Sequence, residues 1–76
     1  MLIDKNYEDL NKLDKKQFRL EWSLRDYRLM PAFSPKFVEI NKQQYSKCLS
    51  KYLKFMRINF RFDEAIEFVD YLNQVA

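Results

Sequence analysis

The sequence predicts a small α+β domain, in which two or three short antiparallel strands carry amphipathic helices packed on one face. Apolar and polar residues alternate at 17–24 and at 57–62, and this period of two predicts strands. Apolar residues recur at helical spacing at 42–55 and 63–74, which predicts two helices. A chain of 76 residues is enough for one domain, which we expect to span 1–76.

The first elements are expected to be a short helix and a strand. Asn6 is a favourable cap for a short helix over 6–13. Leu10 and Leu13 support that helix, because their spacing places them on one helical face. The strand at 17–24 follows from four apolar residues that occupy every second position: Phe18, Leu20, Trp22 and Leu24. On a strand these four side chains point to one side, which we expect to be buried.

The middle of the chain predicts a bulge, a loop and a short strand. Tyr27 and Leu29 can extend the first strand after a bulge, because the alternation shifts by one residue there. Pro31 and Pro35 mark a loop, since each disfavours a helical conformation in the residue before it. The apolar residues within 37–40 then predict a short second strand.

The second half carries the clearest helix signals. Asn41 with Gln44 three residues later is typical of a capping box, which starts the helix at 42–55. Asp63 can cap the helix at 63–74, and the strand at 57–62 lies between the two helices. An all-helical bundle is the alternative, and it requires both alternating stretches to be helical instead.

The composition argues against catalysis. General acid–base catalysis most often uses histidine, and the chain contains none. Its one cysteine, Cys48, lies on the apolar side of its helix and is expected in the core. The chain has no glycine, so it holds neither a phosphate-binding loop nor a nucleophile elbow. We therefore predict a protein that is not an enzyme and uses no cofactor and no metal.

The same composition suggests a compartment. The sequence begins without the basic and apolar segments of a signal peptide, and no segment approaches the roughly 20 apolar residues of a membrane helix. A single unpaired cysteine suits a reducing environment. We expect a cytoplasmic protein with no membrane partner.

Charge is segregated along the chain. Residues 41–62 include six basic and no acidic residues, whereas 63–76 include four acidic and no basic ones, within a net charge of +3. Lys47, Lys51 and Lys54 form one stripe on the 42–55 helix, opposite its apolar face. The stripe is either a surface that meets phosphates or an acidic protein, or a solvated helix face that keeps a small domain soluble.

The function predicted from these features is docking on another protein, as an accessory, regulatory or inhibitory protein. The candidate contact residues are the basic series and three aromatic residues around the proline loop: Lys47, Lys51, Lys54, Arg57, Arg61, Tyr27, Phe33 and Phe37. One alternative is a nucleic-acid-binding protein that uses the basic face of the 42–55 helix and the 57–62 strand. Another is a structural subunit that is stable only as a homo-oligomer, as the small size of the domain suggests. Separately, the basic and acidic faces of different copies can pair head to tail, which would give a dimer or a chain of subunits.

Overall fold

Three α-helices make up most of the protein. The computed structural model describes residues 1–29 and 35–74, including their side chains except at 35–39. A 3₁₀ turn spans Tyr7–Asp9. The three helices follow it: α1 spans Lys12–Leu29, α2 spans Pro35–Ile58 and α3 spans Phe62–Gln74. The described residues contain no strand, so the predicted α+β fold is wrong and the all-helical alternative is correct.

Helices α1 and α2 pack side by side in opposite directions. Near the end of α1, the Tyr27 carbonyl accepts a hydrogen bond of 2.8 Å from Nδ2 of Asn41, in the first half of α2. Near the start of α1, the Lys16 ammonium lies 5.4 Å from the ring centre of Phe55, close to the end of α2. The two pairs show that the helices run antiparallel along their shared length.

Helix α3 folds back along α2 and closes the core. The rings of Tyr52 and Phe68 lie 5.4 Å apart, although each residue is six positions from the junction between the two helices. Seven buried residues from all three helices and the N-terminal segment form this core: Ile3, Leu24, Tyr52, Met56, Ala65, Phe68 and Leu72.

The strand predicted at 17–24 is part of α1. The fully buried positions are Gln17, Glu21 and Leu24, which follow helical spacing. Two of these three core positions are polar, so the apolar stripe of the helix is interrupted. Phe18 lies on another face of α1, and Trp22 beside it is 39% exposed. The alternation therefore arises from two separate apolar faces of one helix.

The predicted bulge and second strand are also helical. Helix α1 continues to Leu29, and α2 starts at Pro35, so the backbone at 37–40 belongs to α2. Proline suits the first turn of a helix, where its missing N–H has no partner to lose. Asn41 lies inside α2, so the capping box is wrong, although the helix predicted at 42–55 is confirmed within a longer one. Pro31 lies outside the described residues.

The short helix predicted at 6–13 is divided. Asn6 caps only the 3₁₀ turn, where its Oδ1 accepts from the Glu8 N–H at 3.2 Å. Helix α1 has its own cap, because Oδ1 of Asn11 accepts a hydrogen bond of 2.8 Å from the Asp14 N–H.

The strand predicted at 57–62 is the end of α2 and its junction with α3. The Arg61 N–H donates to the Met56 carbonyl at 2.8 Å, and the Phe60 N–H donates to the Arg57 carbonyl at 3.2 Å. This pair of bonds is a Schellman motif, in which Phe60 takes the left-handed conformation with φ of 56°. The apolar residues of the segment are exposed rather than buried: Ile58, Phe60 and Phe62.

The last helix confirms the prediction at 63–74, with a start one residue earlier. The Arg61 carbonyl accepts the first helical hydrogen bond from Ala65, while Asp63 and Glu64 place negative charge at the positive end of the helix dipole. Among the helices in the described ranges, none combines the length and apolar composition that a membrane crossing requires.

Candidate functional site

A groove with an apolar lining and three lysines runs between α1 and α2. It has a volume of about 520 Å³. Apart from Asn59, its lining consists of four apolar and three basic side chains: Leu13, Leu20, Phe55 and Ile58, with Lys16, Lys51 and Lys54. We call it the lysine groove. Ile58 is 61% exposed, so part of this apolar lining is accessible from solvent.

Helical spacing on both sides brings these residues together. On α1 the lining residues Leu13, Lys16 and Leu20 are separated by three and four positions, which places them on one face. On α2, the lining runs from Lys51 to Ile58 with the same spacing. Each helix therefore contributes two turns, or about 10 Å of groove length.

The electrostatic character of the groove is purely basic. None of its lining residues is acidic. Lys16 lies over the Phe55 ring, so its charge stays beside the apolar surface in a cation–π contact. Lys51 and Lys54 are exposed, and neither forms an ion pair with any residue that the structure describes. Their charges are therefore available to an anionic partner.

The structure separates the basic residues that the sequence suggested as one site. Lys51 and Lys54 line the lysine groove, and Lys47 is exposed one turn earlier on α2. Arg57 is on another side of α2, where it lines a second groove between α2 and α3. Arg57 and Arg61 do not lie on a common strand, because Arg61 belongs to the junction between two helices.

Arg61 is held by contacts inside the protein. One nitrogen of its guanidinium, Nη1, donates to Oδ1 of Asp14 at 2.7 Å and to Oε1 of Gln17 at 2.6 Å. Its side chain is 22% exposed, and its Nε lies 4.0 Å from a carboxylate oxygen of Glu64. Arg61 therefore connects α1 with α3 and is not part of the lysine groove.

The three candidate aromatic residues do not join the groove. Tyr27 is half-buried in the last turns of α1, and its carbonyl is bonded to Asn41. Phe33 lies outside the described residues. The Phe37 backbone belongs to α2, but its side chain lies outside the description.

A buried carboxylate, Glu21, lies between α1 and α2 and accepts hydrogen bonds from three donors. Glu21 accepts hydrogen bonds from the Leu2 N–H at 2.9 Å, from Nε2 of Gln17 at 3.0 Å and from the Tyr52 hydroxyl at 2.8 Å. Burial, together with the neighbouring Glu21 carboxylate, raises the pKa of Tyr52 far above its usual range. Tyr52 therefore remains a neutral donor, and this network serves stability.

Cys48 carries the one thiol of the chain, and its side chain is partly buried. Burial raises the pKa of the Cys48 thiol, an effect that nearby Lys51 partly opposes. The thiol sulfur lies 3.9 Å from the Leu20 carbonyl oxygen. Across 1–29 and 35–74, no three Cys, Asp or Glu side chains are grouped so that they could hold a metal ion.

Six of the eight groove residues are absent from the sequence-based candidates: Leu13, Lys16, Leu20, Phe55, Ile58 and Asn59. The signal that could have found three of them is the helical spacing of Leu13, Lys16 and Leu20 within one continuous helix. The alternation at 17–24 obscures this signal, because a period of two predicts a strand.

No family model, curated protein or solved structure matches this chain. The lysine groove is therefore described by its own chemistry. That chemistry combines an accessible apolar lining with uncompensated positive charge.

Proposed function

We propose that this chain is a small non-catalytic docking protein that binds an acidic amphipathic helix of another protein in the lysine groove. The observation that carries the proposal is the lining of the groove, in which four apolar side chains lie among three lysines and no acid. Binding to such a segment would let the chain act as an accessory, regulatory or inhibitory protein.

The shape of the groove supports a helical occupant. It lies between two antiparallel helices and is about two helical turns long. A helix that binds in a groove places apolar anchors at i, i+3 or i+4, and i+7, which also span two turns. Leu13 and Ile58, which are partly exposed, are the residues that such anchors would contact and bury.

The charge supports an acidic occupant. Lys16, Lys51 and Lys54 would face carboxylates that flank the apolar side of the bound helix. Complementary charge of this kind speeds encounter and rejects partners of the wrong sign, while apolar burial supplies most of the affinity. A basic helix would be repelled at the same surface.

Nucleic acid is the other candidate, because Lys47, Lys51, Lys54 and Arg57 are all exposed on α2. Two observations favour the protein partner. The apolar lining has no counterpart on a phosphate backbone, and Arg61 forms internal contacts instead of extending the basic stripe. We also propose a cytoplasmic location, with which the unpaired thiol of Cys48 agrees.

The test is an affinity capture from an extract of the cells that make the protein, treated with nuclease, with three forms of the chain as bait. The wild type is compared with Ile58→Glu and with Ile66→Glu. These isoleucines are a matched pair, because they are 61% and 63% exposed and only Ile58 lines the lysine groove. Proteins retained by wild type and Ile66→Glu but lost with Ile58→Glu are identified by mass spectrometry.

The binding segment of each such protein is then synthesised and titrated against the purified chain. We expect an acidic amphipathic helix whose affinity falls by about 10-fold or more with Lys51→Glu and Lys54→Glu together. The proposal is wrong if no protein depends on Ile58, or if the binding segment is neither acidic nor amphipathic. A parallel capture without nuclease tests the alternative: recovery of nucleic acid alone, lost at high salt and unaffected by Ile58→Glu, would favour nucleic-acid binding.

A further inference from the structure

A second groove lies between α2 and α3, on another side of α2 from the lysine groove. It has a volume of about 440 Å³. Its apolar lining includes Leu53, Phe62 and Ile66, which are 43%, 51% and 63% exposed. Three large apolar side chains this exposed on one face of a small protein indicate a surface that another molecule covers.

The two charged residues of this groove, Arg57 and Asp70, have opposite signs. Arg57 is next to the last residue of α2, so it lies close to the junction. Asp70 is eight residues beyond the start of α3, or about 12 Å along that helix. Since α3 folds back along α2, the positive and negative charges lie towards opposite ends of one apolar groove.

We propose that two copies of the chain pair through this α2–α3 groove about a two-fold axis, with the two grooves antiparallel. Arg57 of each copy then faces Asp70 of the other, and the exposed apolar residues of both copies are buried together. This is an isologous interface, in which one patch is complementary to itself.

The charges select both the occupant and its direction. A patch with one cation and one anion at opposite ends is neutral and complementary to its own antiparallel copy. The parallel arrangement would place Arg57 against Arg57 and Asp70 against Asp70, which is repulsive. A strongly acidic partner would place negative charge against Asp70, and a strongly basic partner would place positive charge against Arg57.

Size and position agree with pairing. A domain of this length buries only about 60% of its unfolded surface, so a second copy would add stability that the monomer lacks. The lysine groove lies on a different side of α2 and remains open in this dimer. The proposal is independent of the proposed function.

Sedimentation velocity and light scattering over a dilution series of the purified chain test the proposal. We expect a monomer–dimer equilibrium that Ile66→Glu weakens by more than about 100-fold, because each dimer loses two buried isoleucines. Ile58→Glu is the matched control and should leave the equilibrium unchanged.

Charge exchange provides a second test that does not depend on the apolar residues. Arg57→Asp and Asp70→Arg should each weaken the dimer by about 10-fold, and the double variant should restore it, because the pairs are then re-formed with reversed signs. A wild type that is monomeric throughout the series would overturn the proposal. So would a dimer unaffected by both Ile66→Glu and Arg57→Asp, which would show that copies pair elsewhere.

Discussion

The Tyr52 hydroxyl donates a hydrogen bond of 2.8 Å to Oε2 of Glu21, and both side chains are fully buried. This bond connects the last third of α2 to the middle of α1. Glu21 also accepts from Leu2 and Gln17, so one carboxylate joins two helices and the N-terminal segment. Because a buried charge is strongly unfavourable unless donors surround it, this network specifies how α1 and α2 pack beside the lysine groove.

Removal of one donor to Glu21 should destabilise the fold. We expect Tyr52→Phe to lower the free energy of unfolding by about 1–3 kcal/mol, because the buried carboxylate loses a hydrogen bond. Urea unfolding followed by circular dichroism measures the change. Tyr71→Phe is the control, since the Tyr71 ring stacks on Phe68 and its hydroxyl bonds to no described residue. An equal loss in both variants would contradict the role assigned to Glu21.

The raised pKa of Tyr52 predicts a loss of stability in alkali. In the unfolded chain a tyrosine ionises near pH 10, whereas burial and Glu21 hold the pKa of Tyr52 higher in the fold. The contribution of Tyr52 is therefore complete below about pH 10 and is lost as the pH rises towards the folded pKa. Unfolding measured at about pH 8 and about pH 11 should show a smaller decline for Tyr52→Phe than for wild type. Identical declines would contradict this prediction.

Replacement of the junction residue Phe60 by glycine should stabilise the protein. Phe60 is 85% exposed and has φ of 56°, a conformation that is unfavourable for a residue with a Cβ atom. We expect Phe60→Gly to raise the free energy of unfolding by about 0.5–1 kcal/mol. Phe60→Ala is the control, because alanine retains the Cβ atom. Thermal unfolding measures the stability of both variants. Equal stabilisation by alanine and by glycine would contradict the role assigned to the Cβ atom.

Arg61 should behave as a structural residue. Arg61→Ala removes the hydrogen bonds to Asp14 and Gln17 that connect α1 to the junction. We expect this change to lower the free energy of unfolding by about 1–3 kcal/mol. Arg19→Ala, at an exposed position of α1, should change stability by less than about 0.5 kcal/mol. Chemical unfolding of the two variants compares them directly. If Arg61→Ala leaves the free energy of unfolding unchanged, the structural role is wrong and Arg61 is again a candidate binding residue.

Charge reversal at Lys51 should separate binding from stability. Lys47, Lys51 and Lys54 repel one another on consecutive turns of α2, so Lys51→Glu should raise stability by about 0.2–0.5 kcal/mol. The same variant should weaken binding of an acidic helix in the lysine groove. Unfolding and peptide titration on one preparation measure both effects. A variant that loses stability along with binding would contradict the separation.

The helices over 42–55 and 63–74 could be predicted because their core positions are apolar. In α3 the buried residues Ala65, Phe68 and Leu72 keep helical spacing without interruption. In α1 the corresponding positions Gln17 and Glu21 are polar. Over eight residues a helix with polar core positions and two apolar faces shows the same alternation as a strand. The pattern at 17–24 therefore predicts a strand although the segment is helical.

Two of the eight residues of the lysine groove could be predicted from the sequence, and the others could not. Lys51 and Lys54 follow from one helix, because charge periodicity shows which residues share a face. Leu13 and Leu20 come from α1, and their position opposite Ile58 depends on the antiparallel pairing of the two helices. No local pattern specifies that pairing.

The sequence by itself determined the absence of histidine and glycine, the lysine stripe on α2 and the acidic face of α3. The absence of glycine also meant that a residue with a Cβ atom had to adopt the left-handed conformation wherever the chain required one, and here it is Phe60. The tertiary structure decided which polar residues are buried and which apolar residues form grooves. The physical reason is that Glu21 can be buried only where donors distant in sequence, Leu2 and Tyr52, converge on it.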